Sequence, residues 1–171
     1  SESKPPSNQT NVFTGDAMKM REQVSASLKE IHSGRPWHGP SLRAILKGIS
    51  PEDASKRIGE AHTIWELVSH MSGWMDVVVH RLQGEIVHEP ADGDYPPMPE
   101  PTDANWRATV RRYDSALKKL QKAIAQVKPI DWNRKKPGRR YSYGEMIHGA
   151  LWHNLYHTGQ IGLLKRALRS K

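Results

Sequence analysis

Nine histidines in a chain without cysteine direct attention to imidazole chemistry, and two of them stand four residues apart in Trp152-His153-Asn154-Leu155-Tyr156-His157. On a helix this spacing puts His153 and His157 on one face, with β-carbons about 5–6 Å apart. Two imidazoles so placed can meet at one metal ion, each nitrogen lying about 2.0–2.1 Å from zinc. At about 100° per residue, Met146, Ala150, His153, His157, Ile161 and Leu164 share a stripe, so the pair occupies core positions. Buried polar rings need partners, since an unpaired group costs about 1–3 kcal/mol, and a metal would satisfy both. The same spacing also occurs in helices that bind nothing. A zinc protease would carry His-Glu-x-x-His with the glutamate as general base; Asn154 follows His153, so that reaction has no support.

A third ligand has to come from another helix. His70 is the best placed, because it shares the direction of Leu67, Trp74 and Val77, although the same position suits a core-edge histidine bonded to a backbone carbonyl. The others fit less well: His62 precedes a capping box, His80 falls where the apolar face has turned away, His88 lies in a Pro-rich loop, and His32 and His38 flank a turn. His148 is rotated about 140° from His153. Glu66, one turn before His70, Gln160, two turns after His153, and Tyr156 are candidates to orient a ligand ring or hold a water at the metal. A solvated surface position suits Glu66 as well. Three neutral histidines leave coordination positions open, which is the pattern of a catalytic zinc site rather than a closed structural one. Imidazole suits zinc, nickel, copper and iron; zinc or nickel is favoured by availability and by common purification practice.

The elements that must position these residues follow from apolar periodicity and capping. Residues 1–15 are polar and Pro-containing and are expected to form a flexible N-terminal arm, with one domain over residues 16–171. Asp16 can cap a first helix with apolar positions Met20, Val24, Leu28 and Ile31, ending at Ser33-Gly34. Pro36, Pro40 and Pro51 break the next stretch into a connecting segment, with a helical turn over Ser41 to Lys47 and another opened by Ser50 as cap and Pro51 at the first position. A capping box, Thr63-Ile64-Trp65-Glu66, starts a second long helix whose face of Ile64, Leu67, Val68, Met71, Trp74, Met75 and Val78 runs to Gly84. A loop rich in Pro, Asp and Gly follows, long enough to be functional or mobile. Helix three begins after Thr102 with the stripe Trp106, Val110, Tyr113, Leu117, Leu120, Ile124 and Val127. A second capping box, Ser142-Tyr143-Gly144-Glu145, opens helix four, which runs to about Leu168. These elements predict an all-α four-helix bundle with long crossover connections.

The composition narrows the classes of function. At 171 residues the chain can bury one core without staples, and the absence of cysteine removes thiolate metal sites, cysteine nucleophiles and disulfides, which sits well with a cytoplasmic location. No apolar run approaches the roughly 18 residues of a membrane helix, and no targeting segment is read at the start. A net charge of +8 raises the question of a polyanionic partner. The densest basic stretch, Arg134 to Arg140, falls in a Pro-Gly loop, and Lys165, Arg166, Arg169 and Lys171 alternate with apolar residues. Solvated surface accounts for both, and without a helix-turn-helix pattern or interleaved aromatics nucleic acid is disfavoured as a partner.

The segments Trp37-His38-Gly39-Pro40-Ser41-Leu42, His62-Thr63-Ile64-Trp65-Glu66-Leu67-Val68-Ser69-His70 and His153-Asn154-Leu155-Tyr156-His157-Thr158-Gly159-Gln160-Ile161 resemble the DinB-like superfamily of helical bundles, over about residues 17–168. The superfamily includes the YfiT-like proteins grouped as metal hydrolases and thiol-dependent transferases and isomerases that use bacillithiol or mycothiol. The resemblance implies a DinB/YfiT-like fold and a metal held by a histidine of the second helix and a His-x-x-x-His pair of the last, here His70, His153 and His157. It implies no single reaction, because fold and site are shared more widely than any activity. The family label refers to DNA damage as an inducer, not to DNA binding.

Two classes of function therefore compete. One is a metal-dependent enzyme acting on a small molecule, either a hydrolase or a transferase adding a low-molecular-weight thiol cosubstrate to an electrophile, with Arg139 and Arg140 available for cosubstrate carboxylates. No carboxylate falls beside the three histidines as an evident acid or base. The alternative is a non-catalytic, metal-containing binding module. A homodimer through an exposed helix face is compatible with either.

Overall fold

The structure is a computed structural model that describes the backbone of residues 7–169 and the side chains of residues 15–169. Four long helices, α1 (Ser7–Ser33), α4 (Ile64–Leu82), α5 (Asp103–Gln126) and α6 (Tyr143–Arg169), form the body; two short ones, α2 (Leu42–Leu46) and α3 (Pro51–Ser55), lie in the segment joining α1 to α4. Both α1 and α4 pack against both α5 and α6, so the order around the bundle is α1, α5, α4, α6. Among the described residues there is no strand, only an isolated antiparallel bridge between Lys135 and Ser142. No helix among them is long and apolar enough to cross a membrane.

Local chemistry explains most of the boundaries. Thr63 caps α4 by accepting from the Glu66 N–H at 3.1 Å, while the Glu66 carboxylate accepts from the Thr63 N–H at 2.8 Å. Ser142 and Glu145 do the same for α6, at 3.2 and 2.6 Å. Each pair satisfies N–H groups that a helix start leaves without intrahelical partners. Ser50 caps α3 through the Asp53 N–H, with Pro51 at its first position. Gly84, at φ 98°, follows α4 where the chain turns through a conformation that a side chain would strain.

The first helix departs from the pattern expected for it. It does not start at Asp16 but continues back through residues 7–15 of the expected arm, with Asp16 exposed inside it; residues 1–6 lie outside the described residues. Gly15 is the one poor helix former next to that cap, and an isolated glycine costs only about 1 kcal/mol relative to alanine, which a helix docked over several turns tolerates. The register also differs: Met20 is 45% exposed and Ala17 takes the buried place ahead of Val24, Leu28 and Ile31. The intervening Arg21 donates from Nη1 to the Val127 carbonyl at 2.8 Å, tying α1 to the end of α5.

The core is centred on Trp65, Met71 and Met75 of α4, Tyr113 and Leu120 of α5, and Ile147 and Ile161 of α6, all but fully buried. Trp65 and Trp106 pack with centroids 5.0 Å apart, and the Trp106 indole donates to the Ile49 carbonyl, fixing the connecting segment on the bundle. A polar link crosses the interior where Tyr113 donates to Asn154 Oδ1 at 2.7 Å and Asn154 Nδ2 donates to the Ala150 carbonyl at 2.8 Å. Asn154, between the two histidines of α6 in sequence, is thus a bridge between helices rather than a site residue.

Candidate metal centre

Helices α4 and α6 bring His70, His153 and His157 together, with one ring nitrogen of each within 4.8 Å of the others. His70 and His157 are buried and His153 is half-buried. His153 Nε2 lies 2.9 Å from His70 Nε2 and 3.1 Å from His157 Nε2, so three ring nitrogens converge on one point.

The opposite sides of two rings are already committed. His70 Nδ1 lies 2.9 Å from the Asp94 carbonyl oxygen, which can only accept, so Nδ1 carries the proton and Nε2 carries the lone pair. His157 Nδ1 likewise faces Gln160 Oε1 at 2.5 Å. Two lone pairs therefore point at His153 Nε2, which has at most one proton to donate. One nitrogen is left without a partner unless a cation takes all three. Tetrahedral bonds of about 2.0–2.1 Å would set the nitrogens about 3.3 Å apart, a few tenths of an ångström beyond the separations of His153 Nε2 from the other two. The donor set therefore fits a divalent ion such as zinc with little movement, and the outward-facing acceptors fix each ligand tautomer as orienting partners do at histidine metal sites.

Charge is unwelcome at this point. Burial, then the neighbouring His157 and His70, pushes His153 down from 6.5 to about 4. Burial also lowers His157, against the opposing bond to Gln160. Neutral rings are the form that binds a metal.

The loop between α4 and α5 covers the centre, and its contribution carries no periodic signal in the sequence. Tyr95 stacks on His70 at 4.4 Å and on His62 at 3.6 Å, nearly parallel to both. The Asp94 carboxylate lies 3.1 Å from His70 Nδ1 and accepts from the Trp74 indole at 2.7 Å. The loop comes close because Gly73 has no side chain: a β-carbon there would sit 2.9 Å from the Pro90 ring. The length and composition of the loop were the only pointers to it.

The remaining candidates separate clearly. Gln160 holds His157, and its Nε2 donates to the exposed Tyr156 hydroxyl at 3.3 Å. Glu66 is occupied elsewhere, by the Thr63 N–H, Arg57 and His62. Burial would raise its carboxyl, but the Thr63 N–H and Arg57 outweigh burial and lower it. His148 faces away, against Trp132 and Trp152, with Nδ1 donating to the Gly144 carbonyl. In the basic loop, Arg139 donates to the Val87 carbonyl and lies against His88, while Arg140 is exposed.

Comparison with known families gives a match to the model of the DinB superfamily over residues 37–161, from the segment after α1 to near the end of α6. No curated protein and no solved structure matches the chain.

Proposed function

We propose that this chain, which belongs to the DinB superfamily, is a metal-dependent enzyme that activates a small nucleophile, either water in a hydrolase or a low-molecular-weight thiol in an S-transferase. The observation that carries the reading is the convergence of three histidine nitrogens, two of them with their protons committed to acceptors on the far side. His70, His153 and His157 would hold the ion; an all-imidazole set suits zinc, nickel, copper and iron alike, and availability favours zinc or nickel. When bound, a divalent ion supplies positive charge that lowers the pKa of a water or thiol toward neutrality.

The side chains around the cluster have definable tasks. Asp94 and Gln160 keep the Nε2 atoms of His70 and His157 unprotonated and aimed inward. Tyr95 and Trp74 shield the His70 ring from solvent on two sides. The Tyr156 hydroxyl accepts from Gln160 and keeps its own proton for donation. A cysteine-free chain suits a reducing cytoplasm, where a thiol cosubstrate would be available.

One observation favours the non-catalytic alternative: Asp94, whose carboxylate lies 3.1 Å from His70 Nδ1, and Glu66, one turn before His70, both have other partners, so neither is free as a general base. Metal analysis of untagged protein prepared without nickel resin, followed by parallel screens for ester or amide hydrolysis and for thiol addition, separates the readings. Stoichiometric metal with turnover in either screen supports the enzyme. Stoichiometric metal with neither supports the binding module, and protein that takes up no divalent ion refutes both.

A further inference from the structure

A cavity of about 310 Å³ runs between α4 and α6, with His153 at one end and Arg81 and Tyr141 at the other. Its middle is apolar, walled by Trp74, Met75 and Met146. From Glu145 to His153 is eight residues of α6, so the two ends stand about 12 Å apart at 1.5 Å per residue.

Arg81 is the unusual feature. It is only 8% exposed, yet among the described residues no carboxylate pairs with it. Its Nε donates to the Val87 carbonyl, Nη2 to the His88 carbonyl and Nη1 to the Tyr141 hydroxyl, at 2.7, 2.8 and 3.2 Å. A guanidinium has five N–H groups, so two are left, and the Tyr141 hydroxyl, accepting from Arg81, retains its own proton. Lys136 and Arg139 reinforce the positive charge: Lys136, 3% exposed, donates to the Glu85 carbonyl, and Arg139 to that of Val87. Glu145 stands at the cavity edge but uses its carboxylate to cap α6. Buried cations are normally paired, and a charge held by carbonyls, a hydroxyl and the face of the Trp74 ring 5.8 Å away, but by no carboxylate, is a site suited to an anion with two oxygens.

We propose that this cavity binds a substrate with an apolar body and a terminal carboxylate, the carboxylate on Arg81 and Tyr141 and the body lying along Trp74 and Met146 with its far end at His153. The inference rests on the three histidines being the reaction centre. It adds the class of molecule presented to them: a medium-length, monocarboxylate amphiphile.

Calorimetric titration of the full chain with octanoate and with 1-octanol tests the assignment, using zinc-loaded protein and protein stripped by a chelator. Octanoate should bind at least about tenfold more tightly than octanol in both states, as a charge-assisted contact would provide. Arg81→Gln should remove that preference while leaving octanol unchanged, and Tyr141→Phe should weaken octanoate alone. Gly149→Leu should abolish both, because a β-carbon at Gly149 meets no atom within 4 Å and the longer chain would fill the cavity without disturbing the helix. Zinc stoichiometry should be the same in every variant. Equal binding of acid and alcohol would overturn the proposal, as would octanoate binding that survives Gly149→Leu, or that requires zinc and ignores Arg81→Gln. If Arg81→Gln does not fold, the other two variants decide. Octanoate binding with this pattern in protein that takes up no zinc would support the cavity and refute the metal centre.

Discussion

His32 on α1 and His153 on α6 both lie partly inside the bundle, and burial is the leading reason that each is lowered. Their neighbours differ. His32 Nε2 is 3.0 Å from Asp114 Oδ1, within ion-pair distance though not aligned as a hydrogen bond, and its ring lies against Tyr113. Asp114 opposes the effect of burial there, so a proton on His32 has a counter-charge. His153 instead faces two imidazoles whose lone pairs point toward it. A proton satisfies one contact at that centre, whereas a metal ion satisfies three. The contrast shows that a buried histidine becomes a ligand candidate through what faces it, and burial alone does not distinguish the two.

The largest effect expected from this contrast is on metal affinity. His70→Ala or His157→Ala should lose the ion with a penalty beyond the roughly 10–100-fold that loss of an orienting partner costs. His32→Ala should bind it as the unaltered protein does. Competition titration against a chromogenic chelator measures both, and full affinity in His70→Ala would break the three-ligand centre. Stability should respond next. Only the folded chain joins α4 to α6, so free metal at 100 times its dissociation constant should add about 2.7 kcal/mol to unfolding, seen as a raised melting temperature. That increment should vanish in His153→Ala and persist in His32→Ala. An unchanged melting temperature after complete chelation would contradict it.

A finer test concerns the orienting groups. Gln160→Leu removes the acceptor from His157 Nδ1 and should weaken metal binding by about 10–100-fold. Asp94→Ala should cost less, because the acceptor for His70 Nδ1 is the main-chain carbonyl, which the substitution keeps. Equal losses in the two variants would mean that the Asp94 carboxylate, rather than its carbonyl, sets the His70 tautomer.

What could be foreseen depended on whether a residue sits in a periodic element. The two capping boxes, the stripe of α5 and the shared face of His153 and His157 follow from spacing on helices, because a helix converts sequence distance into direction, whereas the choice of His70 as their partner is what the family resemblance implies. Asp94, Tyr95 and Arg81 were beyond that logic. The first two lie in a loop whose path is set by Pro90 packing on Gly73, a contact between distant residues. Arg81 looks like an ordinary cation near a helix end until the carbonyls of Val87 and His88 fold back over it. The family match likewise begins after α1, the helix whose buried face departs from the expected register at Met20.

The smallest expected effect is the acid response of the metal-free protein, and it sharpens the comparison because both histidines contribute with the same sign. A histidine whose folded pKa lies below its unfolded value binds protons preferentially in the unfolded chain. The stabilisation it provides is therefore complete above the unfolded pKa and declines as pH falls toward the folded one. For His153 that window runs from 6.5 down to about 4. His32 is also lowered, but Asp114 works against the shift, so its share should be smaller. Urea unfolding of chelator-treated protein at pH 7.5 and pH 5.5, both above the bulk of carboxylate titration near about 4, measures the loss. His153→Ala should flatten the dependence more than His32→Ala does. If His32→Ala flattened it more, the carboxylate-paired histidine would be the group that resists charging, and the electrostatic distinction between the two regions would be reversed.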